Sequence, residues 1–541
     1  MRRAGRRTRT SRPAGDSPSV TERPDGPHPS RSAGFLAVVV ATPADAIALV
    51  GTEPPGAPIA VVCLQAGADG ESEALGRALA EARQRGHRIA GEPRVLRVRD
   101  KDVDASLREV FLELGPTRVA TLDPDPASTA VDEDGPRGGR KFAVVEPPAR
   151  GRAARAAVRA ARWYQHRTGR PVFVECRRAA ADPGTPLDLA SRYPRPAHWL
   201  TRGADGRLSL HLLSAAGVLR WTEVASGGPR WTGPVLLETP ELMPGLTVLQ
   251  GADGYVRLFG LRRTEGAEED EGALEVVTAV QYQSGRALGP WAELGNPNAR
   301  EWHKARRVGF PVAAFDGDGT LHVFVRNVGA SISTRRQDAN GHWSAWQHLR
   351  GCRVADELAV FPGWDGGVEL VARRREGVAA VHWHYDRASR TWAEFDDIPV
   401  SAVPGSLSAA PEAGSLRFRY AATNEVCVWQ PGAPAPIGLG GADGSGPVAG
   451  VAGADVDAWS CTVLVRAGHD GVTAVGAHAD GRPDLGVWWS PQGGRSLVPP
   501  AVALDGLGRV VIVIVGEDGA PRVSRQRRGV QGLEFGPLEA L

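Results

Sequence analysis

At 541 residues the chain exceeds what one hydrophobic core usually organises, so two or more domains are expected. Sixty-four basic against 62 acidic residues leave a net +2, which excludes the single-sign field that nucleic-acid binding needs. No apolar run reaches the about 18 residues of a transmembrane helix. Five cysteines, Cys63, Cys176, Cys352, Cys427 and Cys461, match neither a zinc spacing nor a disulfide framework and read as core thiols.

The first 33 residues open with Arg2, Arg3, Arg6, Arg7, Arg9 and Arg12 and continue rich in Pro, Ser and Gly. Such a segment has nothing to pack and reads as a disordered basic tail. With the apolar Phe35–Val40 behind it, it imitates a signal peptide. That run is short and leads directly into α/β patterning, so the compartment stays open, with the cytoplasm slightly ahead of export.

Residues 34–182 alternate apolar runs with Ala- and Arg-rich helical stretches. Strands are expected at Phe35–Val40, Ile59–Leu64, Val119–Leu122 and Val172–Glu175, and helices at Glu71–Gly86, Ala105–Leu114 and Gly151–Arg167. This is the grammar of a parallel, Rossmann-like sheet, whose functional residues gather in loops beyond the carboxyl ends of strands. Those loops hold Asp45, Asp69, Asp123, Asp125 and Arg150.

From 183 to 541 the grammar changes to short alternating strands between Gly-, Asp- and Pro-rich turns, and 14 of the 15 tryptophans lie there. Turns recur at Asp205-Gly206, Asp253-Gly254, Asp318-Gly319, Asp365-Gly366, Ala413-Gly414, Asp455–Asp457 and Asp505-Gly506, spaced about 40 to 65 residues apart. Seven such units predict an all-β propeller of seven blades, with six as the alternative count and a pair of β-sandwiches as the competing architecture. His382 and His384 flank Trp383 on one strand and share the face opposite it, read as a solvated face.

Four segments of the first domain resemble the PIG-L/LmbE family of zinc-dependent de-N-acetylases. Val38-Val39-Val40-Ala41-Thr42-Pro43-Ala44-Asp45 stands where that family has a strand ending in Ala-His-Pro-Asp-Asp. Val61–Gly70 resembles the next strand and its Gly-Asp turn, and Gly115–Pro126 the family's Pro-Thr-Arg-Val…Leu-Asp-Pro-Asp-Pro segment. Glu146–Arg150, leading into the helix with Trp163-Tyr164, occupies the place of Asp-His-x-Asp-His. The resemblance implies two His and one Asp ligand for zinc, with a second Asp activating the bound water. Carried over, the first His falls on Thr42, the water-activating Asp on Ala44 and the second His on Arg150. The auxiliary His and its Asp neighbour fall on Pro147 and Ala149. Asp45 is the one ligand position retained. Alanine cannot act as a base, and a permanent cation repels a metal, so hydrolysis is expected to be lost, no cofactor is expected, and Arg150 should pair with Asp45, Asp123 or Asp125. Zinc belongs to the alternative, a divalent-metal-dependent N-deacetylase or other hydrolase with a rebuilt site. An oxygen-only shell of Asp45, Asp69, Asp123 and Asp125 would suit Mg²⁺ or Ca²⁺; otherwise these are turn and cap carboxylates.

The second domain resembles lectin- and sialidase-like propellers whose blades carry a Trp-x-x-Trp-like element, here nearest in Trp343-Ser344-Ala345-Trp346 and Trp488-Trp489. Aromatic rings beside polar groups suit a glycan or glycoconjugate, with Arg326, Asn327, Trp346, Trp364, Trp383 and Trp429 as candidates. One large ring per blade is equally a packing solution. The expected function is therefore non-catalytic carbohydrate binding on a pseudo-deacetylase scaffold, and a scaffold that binds protein at the propeller rim is the other alternative.

Overall fold

The computed structural model describes residues 34–541 apart from 52, 54–57, 66–69, 97–101, 126–128, 133–139, 144–147, 178–191, 194, 196, 267–271, 299–301, 350, 352, 376 and 411–413, and only the backbone of 129–132, 140–143 and 148. The first domain runs β1 (Leu36–Val40), α1 (Pro43–Gly51), β2 (Pro58–Cys63), α2 (Glu71–Gln84), β3 (Arg88–Ile89), β4 (Arg94–Val95), α3 (Val103–Leu114), β5 (Arg118–Leu122), β6 (Thr129–Asp132), β7 (Arg140–Ala143), α4 (Pro148–Thr168) and β8 (Phe173–Arg177). The sheet order is β3-β2-β1-β5-β8, with β4 also beside β2, and its pairings are parallel.

Every residue of β1 is buried, because helices cover both faces of the sheet. Val38 and Val40 meet Leu49, Leu75 and Leu79 of α1 and α2, while Ala37 and Val39 meet Phe111 of α3 and the alanines of α4. Ala153, Ala156, Ala157, Ala160 and Ala161 recur at helical spacing, and their small side chains let α4 lie close to the strands. The pattern did not announce α1. Thr42 precedes it, Pro43 occupies the first turn, where its missing N–H costs nothing, and Asp45 Oδ2 accepts from Thr42 N at 3.3 Å and Thr42 Oγ1 at 3.1 Å.

The second domain is a propeller of seven four-stranded antiparallel blades, at 200–236, 247–295, 312–348, 354–395, 408–438, 444–495 and 501–540. All seven recurrent turns fall between the first and second strands of their blades, with 411–413 outside the described residues. Neighbouring blades cover both faces of the inner strands of each sheet, while the fourth strands are mostly exposed. Phe324 and Trp383 fill the layer between blades 3 and 4, and Phe361, Phe418 and Trp429 that between blades 4 and 5. The ring closes without strand exchange: blade 7 reaches blade 1 through Arg525 Nη2 on Glu223 Oε1 at 2.9 Å and Trp199 Nε1 on Pro499 O at 2.9 Å.

In each blade the first and third connections lie at one end of the ring, and the second connections and inter-blade links at the other. The α/β domain sits on the second end. Ala215 N donates to Val172 O at 2.8 Å, Gln165 Nε2 to Ser214 Oγ at 2.8 Å, and Thr117 Oγ1 to Glu517 O at 3.1 Å. The approach is close enough that a Cβ built on Gly34 would lie 1.3 Å from Glu517 O. Gly34→Ala is therefore expected to destabilise the junction by roughly 1–3 kcal/mol, the usual cost of overpacking; unchanged denaturation and unchanged amide exchange in blade 7 would contradict this contact.

An ion cluster of Glu53, Arg118, Glu175, Arg177 and Arg195 lies under the edge strand β8. Burial works to raise the pKa of Glu175, but Arg177, Arg195 and Arg118 overcome it and hold the carboxyl well below its usual range. A depressed folded pKa contributes stability above the unfolded value near 4.5 and loses it as pH falls through the folded value. Acid unfolding below pH 4.5 should accordingly be shallower in Glu175→Gln, whose unfolding free energy, measured from pH 7 to pH 2, tests this.

Candidate functional site

Two regions carry the sequence-derived candidates. The first is the crevice beyond the carboxyl ends of β1 and β5, where the sheet order reverses. Arg150, in the first turn of α4, places Nε 2.8 Å from Asp45 Oδ1, while Thr42 engages Oδ2. Asp45 thus acts as helix cap and ion-pair partner. Burial and the Asp45 charge together push the Cys63 thiol up to about 12, so it stays protonated.

Across the crevice, Asp123 and Asp125 follow β5 and are buried. Asp123 Oδ1 accepts Asp125 N at 2.8 Å and Tyr193 OH at 3.4 Å, and Arg192 lies 3.8 Å from Oδ2. Asp125 bonds Arg263, at the second connection of blade 2, and lies 3.5 Å from Arg306 in the link to blade 3. Burial raises the Asp125 pKa, against the pull of Arg263 and Arg306. Asp69 and Pro147 lie outside the described residues.

Zinc requires about three N, O or S donors and an open position. Of Thr42, Ala44, Asp45, Ala149 and Arg150, Asp45 alone offers a carboxylate, and both its oxygens are engaged. The residues present do not fit the metal. Of the oxygen-only set, the described members Asp45, Asp123 and Asp125 each meet a guanidinium.

The second region is the propeller, where four candidate glycan ligands prove to be interior. Trp383 and Trp429 are 1% and 2% exposed, because a ring projecting from either face of a blade enters an inter-blade layer. Arg326 is buried with Nε 2.5 Å from Asp356 Oδ1, and Asn327 closes its turn by accepting Gly329 N at 2.9 Å and donating to Ser333 Oγ at 3.1 Å. Trp346 is half-buried and donates to Leu294 O of blade 2 at 2.9 Å. Trp364 is 85% exposed. His382 and His384 do not form a solvated face: His382 bonds Glu369 Oε2 at 2.5 Å, and His384 bridges Glu369 at 3.0 Å and Asp365 at 3.2 Å.

A cleft of about 380 Å³ lies between blades 3 and 4, at the end of the ring away from the α/β domain. Small-molecule sites generally span roughly 300–1,000 Å³. The half-exposed Trp343 supplies an apolar face, with Arg335 5.8 Å from its ring centre. Arg336 Nη1 donates to Tyr385 OH at 2.8 Å, and its backbone N–H to Ser344 Oγ at 3.0 Å. Arg387 Nη2 reaches Asp318 Oδ1 at 2.9 Å. The backbone N–H of His342 holds the Asp338 carboxyl below its usual range, so it is anionic at neutral pH. The buried Asp316 accepts Thr320 N at 2.8 Å and pairs with His322 at 3.2 Å, anchoring the floor. An apolar ring, guanidinium donors and carboxylate acceptors therefore converge on one open volume. Tyr282, Trp364 and Trp488, in connections, and Trp459, the first residue of a strand of blade 6, are strongly exposed at this same end. Trp343, which lines the cleft, precedes the sequence candidate Trp346 by three residues in the same motif, and Trp346 is not among the cleft's lining residues. Sequence reading missed Arg336 and Tyr385, which come together only when two blades pack.

Among solved structures the chain is similar to AofleA from Arthrobotrys oligospora, at 12% identity and TM-score 0.36, over 55% of this chain and 85% of that one. It is similar to a PL25 ulvan lyase bound to a GlcA–Rha3S saccharide, at 11% identity and TM-score 0.38, over 64% and 97%. A third likeness is to Aleuria aurantia lectin in complex with Fucα1-6GlcNAc, at 14% identity and TM-score 0.34, over 56% and 97%. No family model and no curated protein matches, so the de-N-acetylase resemblance rests on its sequence segments alone. Identity this low leaves function to be read from the sites themselves.

Breaking a buried ion pair from one side costs about 3–5 kcal/mol. Arg263→Ala, which strips Asp125 of its partner from blade 2, should lose stability of that order, and Asp125→Asn should recover part of the loss. Chemical denaturation of the two single variants and the double variant measures this; additive losses would show that the pair carries no coupling.

Proposed function

We propose that this chain is a glycan-binding protein whose binding site is the cleft between blades 3 and 4, and that its α/β domain serves as a non-hydrolytic scaffold. The observation that carries the reading is the convergence of Trp343 with Arg336, Asp318, Asp338 and Ser344 around about 380 Å³ of open cleft. A pyranose has apolar C–H faces ringed by hydroxyls. Stacking on an indole satisfies the first, and charge-assisted hydrogen bonds satisfy the second more strongly than neutral ones. The carboxylates favour a sugar rich in donor hydroxyls, and Arg336 adds a donor for a ring oxygen or an acidic substituent. The scaffold reading is supported by the Arg150–Asp45 pair, which occupies the carboxylate a metal would need.

A glycan array followed by titration calorimetry on the leading sugar tests the proposal. Trp343→Ala and Arg336→Ala should each weaken binding about tenfold or more, equivalent to roughly 1.4 kcal/mol, while Asp45→Ala leaves it unchanged. An array without a binder, or a sugar that binds both cleft variants as tightly as the parent, would refute it.

A further inference from the structure

A second cavity lies between the two domains, where β8 faces blades 7, 1 and 2, with about 100 Å³ of interior space. A single water needs only about 10–15 Å³ by the same kind of measure, so the chamber has room for a small organic molecule. Its walls are mainly apolar, among them Val174, Trp199, Leu242 and Leu246. Its described charged lining is Arg118, Glu175 and Arg195.

Two features of this lining bear on what it could hold. His211 is 1% exposed, and neither ring nitrogen has a hydrogen-bond partner among the described residues. A neutral imidazole carries one donor and one acceptor, and leaving both unmet in an interior is costly. Burial, with the nearby Arg220 charge, pushes its pKa down to about 3, so it faces the chamber uncharged. The second feature is Arg195. Its side chain is 42% exposed and meets Glu175, a carboxylate that Arg118 and Arg177 also engage. It is the most exposed of the chamber's described charged groups and stands at the edge of a space lined mainly by apolar side chains.

We propose that this interdomain chamber binds a small, mainly apolar carboxylic acid. The hydrocarbon part lies among Val174, Trp199 and Leu246, the carboxylate meets Arg195, and His211 supplies a neutral donor within the chamber. The chemistry is that of an aliphatic acid rather than a sugar, because the walls present few groups for hydroxyls. The site is independent of the glycan cleft, which lies at the opposite end of the propeller.

The test is titration calorimetry of the full chain with hexanoate and, as an uncharged control of similar length, 1-hexanol. Hexanoate should bind one per chain, about tenfold more tightly than hexanol, the size of effect expected when a charge-assisted contact is added. Arg195→Gln should remove that preference, and His211→Phe should weaken both probes several-fold, with thermal melts confirming that each variant is folded. Trp343→Ala should leave hexanoate binding as it was, which separates this proposal from the glycan reading. Absence of hexanoate binding up to about 10 mM, equal affinity for acid and alcohol, or binding insensitive to both chamber variants would overturn it.

Discussion

Asp125 is fully buried beyond the carboxyl end of β5, and its charge is answered by Arg263 and Arg306, both supplied by the propeller. A carboxylate in that position cannot stay ionised without cations close by. The α/β domain therefore depends on the propeller electrostatically as well as through packing. The same crevice edge that serves as a ligand site in open α/β sheets is here part of an interdomain joint. Asp123 repeats the arrangement with Arg192 and Tyr193, and Arg150 closes the β1 side on Asp45. Of the expected oxygen shell, the three described carboxylates, Asp45, Asp123 and Asp125, each meet a guanidinium.

That joint bears on the proposed glycan site. With the α/β domain seated on one end of the ring, the opposite end is the one whose turns and clefts face solvent. The blade 3–4 cleft and the most exposed aromatic rings of the propeller lie there. The seam between the domains keeps a small, mainly apolar chamber of its own, lined by His211, whose ring nitrogens have no hydrogen-bond partner among the described residues.

Much of the architecture was legible because it follows from periodicity. Continuous apolar runs such as Leu36–Val40 mark strands covered on both faces, and the Asp-Gly turns mark the first hairpin of each blade. The short helix α1 was not legible, since its first turn coincides with the segment read as a family motif. The Arg150–Asp45 pair was accessible from residue type and loop position. The glycan candidates were mostly not. Alternation along a strand distinguishes core from solvent only when one face is wet, and on the inner strands of this propeller both faces are dry. Trp383 with His382 and His384 illustrates this: the indole enters one inter-blade layer, and the histidines, on the other side of the strand, find Glu369 instead of water. Arg336 and Tyr385 lie 49 residues apart in different blades, and no local pattern joins them.

We read the strand-end crevice as a salt-bridged joint that does not hold a metal. Elemental mass spectrometry of the purified full chain, equilibrated with zinc and then dialysed, tests that reading directly, with Asp45→Ala measured alongside. The account predicts far less than one zinc per chain in both proteins. Near-stoichiometric zinc that disappears in Asp45→Ala would contradict it and favour the alternative reading of a metal-dependent hydrolase.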